Sequence, residues 1–506
     1  MNTARRFGAP RATLAAVFGL LAGCSGTRVI TTPPPVVVPT PAAPAAAAVD
    51  LSKPPVLGPP PTLTLPPITT RQLENGLRIV IIEQHELPLV DVRLQLRSGG
   101  ESDPAGKSGM ASLVAAMLTE GTTSRSSLQI ADQAAYLGAE LGATSGWDQS
   151  TVSLHTPTVQ LDSALALFGD VALHPTFPPA DLERVRKVRL TALQQLRDRA
   201  PAIADRAFAG AVFGTQHPYG RPLAGTELSM ASIKREELQR FYATYYRPNN
   251  ATLLVVGDVR PSDVERRARE MFGGWKRDSV PVVSTTAPTG AKATTVVLID
   301  KPGAAQSSFR IGGIGAPRST RDYFALEVMN TILGGSFTSR LMQNLRETHG
   351  YTYGAGSGFG LRRSAGPFIA SAEVVTAKTD SAFIEFMKEL RAIRDTVPEA
   401  ELAKAKRYLQ LGLPAEFETT GGIASEYLPL IAYGIPLDFF ATAVQRYGAV
   451  TQADVQRVAR QYVDPDRLAV VIVGDRKLIE PGLRAVRPGE IVIRDVRDVL
   501  GAPPLP

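Results

Sequence analysis

Five histidines, one cysteine and a scatter of serines are the side chains with which this 506-residue chain could build a metal or nucleophile site. A zinc site needs at least three converging protein ligands, and two histidines share a metal from one helix when they stand four apart. His85, His155, His174, His217 and His349 all lie beyond helical reach of one another, and no His-x-His or His-Asp pattern occurs. His217, before Pro218-Tyr219, reads as a packed turn residue. His349 reads as a helix-end residue, where the dipole favours a cation. Gly356-Ser357-Gly358 falls within a predicted strand, not on the strand-to-helix elbow that exposes a nucleophilic serine. Neither a metal centre nor an activated serine emerges.

The stretch the rest is organised around is Gly109-Met-Ala-Ser-Leu-Val-Ala-Ala-Met-Leu-Thr-Glu-Gly-Thr122. Met110, Leu113, Val114, Met117 and Leu118 have the spacing of one helical face. Ser108 is the expected N-cap and Gly121 the expected left-handed stop. Ser112, Ala115, Ala116 and Thr119 make the other face small, so burial on both sides is expected.

With the lead-in Glu74-Asn-Gly-Leu-Arg-Ile-Val-Ile81, the strand Val90–Ser98, Met117 and Gly121-Thr122, this helix resembles the opening of insulinase/pitrilysin-family zinc peptidases. The resemblance extends over roughly residues 70–475. It includes His217-Pro-Tyr-Gly-Arg-Pro-Leu-Ala-Gly-Thr226, Tyr246-Arg-Pro-Asn-Asn-Ala-Thr-Leu-Leu-Val-Val-Gly-Asp258 and Leu333-Gly-Gly-Ser-Phe-Thr-Ser-Arg-Leu-Met-Gln-Asn-Leu-Arg-Glu347, and it points to the two-module bacterial and mitochondrial-processing-peptidase branch. In catalytic members the helix carries H-x-x-E-H: two histidines for zinc and a glutamate that deprotonates the metal-bound water. On that frame the positions here are Ser112, Ala115 and Ala116, which can neither bind zinc nor act as a base. The family's third ligand falls near Ala192 and Leu193, and residues 184–197 contain no acid. The resemblance therefore implies no cofactor in this chain.

One pair survives. Catalytic relatives use an arginine and, seven residues on, a tyrosine of the second module to grip substrate carbonyls and the oxyanion. Leu345-Arg346-Glu347-Thr-His-Gly350-Tyr-Thr-Tyr353 has that spacing, with Arg346 in a last helical turn, Gly350 ending it and Tyr353 opening a strand. The same register in the first copy gives Ala134 and Leu141.

The body reads as two copies of one α+β module, each a mostly antiparallel sheet packed by helices. At a fixed offset of 217, Gln239, Arg240, Tyr245, Pro248, Val256, Gly257 and Asp258 recur as Gln456, Arg457, Tyr462, Pro465, Val473, Gly474 and Asp475. A second register pairs Ser127 with Ser339 and Gly138 with Gly350. The expected domains are 68–272 and 293–506, joined by a Pro/Thr/Ser-rich linker at 273–292, with the last residues unassigned. Ahead of them, Arg5, Arg6 and Arg11 precede a short apolar run and Leu21-Ala-Gly-Cys24, the order of a signal peptide (1–23) ending in a lipobox-like motif. Cys24 is the expected lipid attachment site, and 24–67, rich in Pro and Ala, a semi-rigid tether. Ser25 after the cysteine suggests the outer membrane of a Gram-negative bacterium, facing the periplasm. A net charge of +7 without a basic tract argues against nucleic acid.

The expectation is a lipid-anchored subunit without self-contained activity. It pairs with a zinc-bearing homologous subunit as a heterodimer, binds unfolded peptides and lends Arg346 and Tyr353 in trans. The alternatives are a peptide-binding or scaffolding envelope protein outside proteolysis, and an independently active peptidase.

Overall fold

Ile79-Val-Ile-Ile82 and Val470-Val-Ile-Val473 are apolar at every position, a pattern that suits strands covered on both faces rather than one. The computed structural model of the chain describes residues 58–60, 62–283 and 287–501. The signal segment and Cys24 lie outside them. Two six-stranded sheets organise the body. The first comprises β1 (Ile68–Gln72), β2 (Arg78–Glu83), β3 (Leu89–Leu96), β4 (Glu140–Ser145), β5 (Ser150–Pro157) and β6 (Ala251–Gly257), in the order β1-β2-β6-β3-β5-β4. The second comprises β7 (Thr295–Asp300), β8 (Gln306–Ile314), β9 (Thr352–Phe359), β10 (Pro367–Val375), β11 (Ala469–Gly474) and β12 (Glu490–Asp495), in the order β12-β7-β11-β8-β10-β9. Only β2–β6 in the first sheet and β12–β7–β11 in the second pair in parallel. The expected repeat is thus present in five strands of each sheet, with β4 and β9 as matching edges.

The edges opposite them differ. β1 enters from residues 62–67, whose Leu63 and Leu65 pack on the core, so the end of the expected tether is part of the body. β12, from the unassigned C-terminal stretch, completes the second sheet.

Alternation along the strands shows where the two faces go. Ile79 and Ile81 join the first module's own core, while Val80 and Ile82 on the opposite face join a core dominated by the second module. The helix covering that outer face is Thr420–Tyr433, from the second half of the chain, packed on β3 and β6. Reciprocally the helix Ala200–Phe213, from the first half, lies on β8 and β11, where Ile203 and Phe208 meet Val471 and Val473. Each module thus supplies the lid of the other's sheet. Sequence periodicity missed both helices.

Candidate functional site

The helix Met110–Met117 forms as its apolar spacing predicts, and none of its residues is exposed. Its N-terminus corrects the expectation. Gly109, at φ 88°, is the N-cap and offers no side chain, while Ser108 caps nothing. The orphan amides are taken by the buried carboxylate of Asp103, which accepts from Gly109 N at 2.6 Å and Ala111 N at 2.8 Å. A Cβ on Gly109 would stand 2.8 Å from Gly225 N, so the glycine is required by space as well as by φ. Gly121 is not in the left-handed helical region either: its φ of 150° and ψ of 141° form another positive-φ conformation that favours glycine, and a side chain would strike Pro178.

At the family's metal positions the helix offers one hydroxyl and two methyl groups. Ala115 is buried, and Ala116 packs with Leu193 on the first core. Ser112 is engaged by Arg189, one turn before the expected third-ligand position on the helix Pro179–Gln195. Arg189 Nη1 donates to Ser112 Oγ at 2.9 Å and Nη2 to the Ser112 carbonyl at 2.7 Å. Burial holds that guanidinium below its ordinary pKa. Zinc does not fit this donor set: the hydroxyl already accepts from a cation, and the other two positions have no donor atom. Among the described residues no group of three His, Cys, Asp or Glu side chains is placed to hold a metal.

Arg346 and Tyr353 belong to the second module. Arg340–Met342 is α-helical, but Gln343–Thr348 widens into a π-helical turn, a distortion common at functional sites. Gly350, at φ 63°, ends it as expected, and the chain enters the edge strand β9. Arg346 lies over the Phe337 ring at 4.8 Å and pairs with Glu347 at 3.4 Å. Tyr353 is 89% exposed and Phe337 62%. Tyr351 is a different kind of residue, stacked on His349 at 4.9 Å and packed on the core.

The histidines find partners that sequence distance conceals. His155 Nδ1 meets Asp91 at 2.8 Å, and His85 Nδ1 meets Asp258 at 2.8 Å. His217 accepts from Tyr219 N at 3.1 Å and stacks on Phe213, as a turn residue should. Ser357 lies in β9 as expected, and its hydroxyl donates to Asn330 at 2.7 Å.

A buried polar junction between the modules was also invisible in the sequence. The turn between β9 and β10 inserts Arg362 and Arg363 beside the turn between β4 and β5. Asp148 there accepts from Tyr219 Oη at 2.7 Å, Tyr433 Oη at 3.0 Å and Arg363 N at 2.9 Å. Arg363 also pairs with buried Glu101, and Arg362 stacks 3.7 Å over Trp147.

Comparison with known proteins agrees with this architecture. Residues 78–227 match the family model for insulinase (peptidase family M16), and residues 232–409 match the model for the peptidase M16 inactive domain. An uncharacterized zinc protease of Mycobacterium tuberculosis is 29% identical over 440 residues, covering 84% of this chain and 98% of that protein. A protein of Arabidopsis thaliana named as a probable mitochondrial-processing peptidase subunit beta is 23% identical over 431 residues, 81% of this chain and 79% of its own length. A crystal structure of a peptidase M16 inactive domain from Pseudomonas fluorescens superposes with a TM-score of 0.76 at 26% identity, covering 80% of this chain and 98% of that one. A protease from Helicobacter pylori has the same fold, with a TM-score of 0.76 at 20% identity over 81% of this chain and 100% of that one.

Proposed function

For a chain that belongs to the insulinase family, peptidase family M16, yet presents Arg189 to the helix where relatives hold zinc, we propose a non-catalytic subunit working with a zinc-bearing homologue. The observation that carries this reading is the contrast between two sites. The metal helix is closed by a guanidinium, whereas Tyr353 stands open on the edge strand β9 and Arg346, half-exposed, lies in the helix before it.

In this reading an unfolded peptide adds as an extended strand along a sheet edge, where main-chain hydrogen bonds hold it without regard to sequence. The zinc-bearing partner would supply the metal that polarises the scissile carbonyl and activates water. Tyr353 donates its hydroxyl to the oxyanion that develops there, and Arg346 donates to a neighbouring substrate carbonyl. The cation–π contact with Phe337 and the ion pair with Glu347 limit the swing of Arg346 before substrate arrives. Anchoring through a lipid on Cys24, in the periplasm at the outer membrane, belongs to the same proposal and is checked by the mass of the mature N-terminal peptide.

The test compares peptide hydrolysis by the pure chain, by the zinc-bearing homologue and by the mixture. A mixture faster than the homologue alone, slowed by Tyr353→Phe and Arg346→Ala, is the expected result. A mixture no faster than the homologue would end the assisting role. A rate increase that both variants preserve would make this chain a peptide-holding scaffold instead.

A further inference from the structure

The C-terminal strand β12 and the short helix Val496–Leu500 lie beyond both family-matched segments. They wall a cavity of about 610 Å³ against the Ala200–Phe213 helix and the turn that follows it. That volume is in the range of small-molecule sites. Its charged lining is unbalanced: Arg206, Arg221 and Arg494 face one acid, Asp498. Asp498 is already occupied, accepting from Asp495 N at 2.8 Å in the cap of the last helix. Arg221 donates to the carbonyls of Gln216 at 2.9 Å and Asp103 at 3.3 Å, and its charge also acts on the nearby Asp103 carboxyl.

Arg206 is the sharpest anomaly. Among the described residues it has no ion pair and no hydrogen bond, and burial alone pushes its guanidinium down to about 10. Its side chain is half-buried and lines the open cavity, so its charge is available to an anion that enters there. Arg206 and Arg221 also line a smaller, mostly apolar cavity of about 250 Å³ with Trp147, Leu193 and Leu223 in its wall; its two acids, Asp205 and Glu227, are paired with Arg310 and Arg197. Charge on one side and an apolar recess on the other describe a ligand with two ends.

We propose that this cavity is a binding site for a small organic oxyanion, its carboxylate or phosphate held by Arg206 with Arg494 and its apolar part lodged beside Trp147 and Leu223. Arg206 offers the planar fork of donors that matches either oxyanion. The C-terminal extension then has a role that peptide handling does not supply: it brings Arg494 and closes the wall. The site is independent of the Arg346 and Tyr353 surface and stands whether or not the chain assists a peptidase.

Titration calorimetry of the full chain with benzoate, phenyl phosphate and inorganic phosphate, at low and high salt, tests the site. One of the two organic anions should bind saturably at one per chain, tighter than inorganic phosphate, and the preferred one identifies the headgroup as carboxylate or phosphate. Arg494→Gln, at an exposed position, should weaken binding about ten- to a hundredfold. Arg206→Met should abolish it, while the melting temperature of the free variant stays level or rises, because the unpaired charge is gone. Absence of saturable binding, equal affinity in both variants, or a lowered melting temperature for Arg206→Met in the free chain would each overturn the proposal.

Discussion

Exchanging an imidazole for a hydroxyl at Ser112 removes one ligand, whereas placing Arg189 against that hydroxyl at 2.9 Å opposes any cation there. Two unit charges about 4 Å apart repel by roughly 4 kcal/mol at an effective dielectric near 20. Grafting the family motif back as Ser112→His, Ala115→Glu and Ala116→His should therefore fail to yield stoichiometric zinc while Arg189 remains and Leu193 supplies no carboxylate. Metal analysis after gel filtration in zinc-containing buffer measures this, and one zinc per chain in the triple variant would contradict it. Arg346 and Tyr353 carry the opposite expectation. Both reach solvent, so Arg346→Ala and Tyr353→Phe should move stability by no more than about 0.5 kcal/mol. Tyr353→Phe should lower the assisted hydrolysis rate by about 10²- to 10³-fold, the usual loss of one oxyanion donor. The two histidine positions were legible because they fall at fixed spacing on one helix. Arg189 was not, because its contact with Ser112 exists only once two helices pack.

Elements held by remote side chains are the ones whose stability sequence could not reveal. Asp103 caps the Met110 helix from six residues before Gly109, a spacing outside any local capping pattern. Asp103→Ala should cost at least 1–2 kcal/mol in denaturant unfolding, since it strands two buried amides. Burial pushes Asp103 up to about 7 against the pull of those amides. Burial and the neighbouring Asp148 raise Glu101 as well, outweighing Arg363. Both carboxyls hold protons more tightly in the folded chain than in the unfolded one, so folding takes up protons and stability falls as pH rises. The decline should run from the ordinary carboxylate range to about pH 7 for Asp103 and about pH 8 for Glu101, by at most about 1.4 kcal/mol per pH unit for each group. Glu101→Gln should flatten its share of that slope, and an unchanged slope would remove Glu101 from the account. Amphipathic elements such as Leu161–Leu173 and Gln452–Tyr462 carry their period in the sequence, because one polar face repeats along the helix. Thr420–Tyr433 contains Gly421, Gly422 and Pro429, and only its seat on the other module's sheet makes it a helix.

At the level of the whole molecule the repeat is more than duplication, because the two copies exchange their covering helices. Val80, Ile82, Leu254 and Val256 on the first sheet are buried by the second half of the chain, and Val471 and Val473 on the second sheet by the first half. Exposing six such side chains would cost roughly 1.5–3 kcal/mol each, a sum comparable with the stability of an entire domain. At the junction, Tyr433 and Arg363 of the second module donate to Asp148 of the first, hydrogen bonds that only the assembled pair satisfies. The connection between the modules bears none of this: the described residues from 276 to 292 contain no helix or strand. Cutting the chain there should leave the two fragments bound as one particle, since the helices that cross over are untouched. A protease site inserted near residue 290, cleaved to completion and passed over a sizing column, should give one peak containing both pieces at the intact elution volume. Expressing residues 59–274 alone should give a chain that aggregates or remains unfolded by circular dichroism, with β2 and β6 bare on one face. Two fragments that separate cleanly and stay folded would mean that each sheet closes without its neighbour's helix.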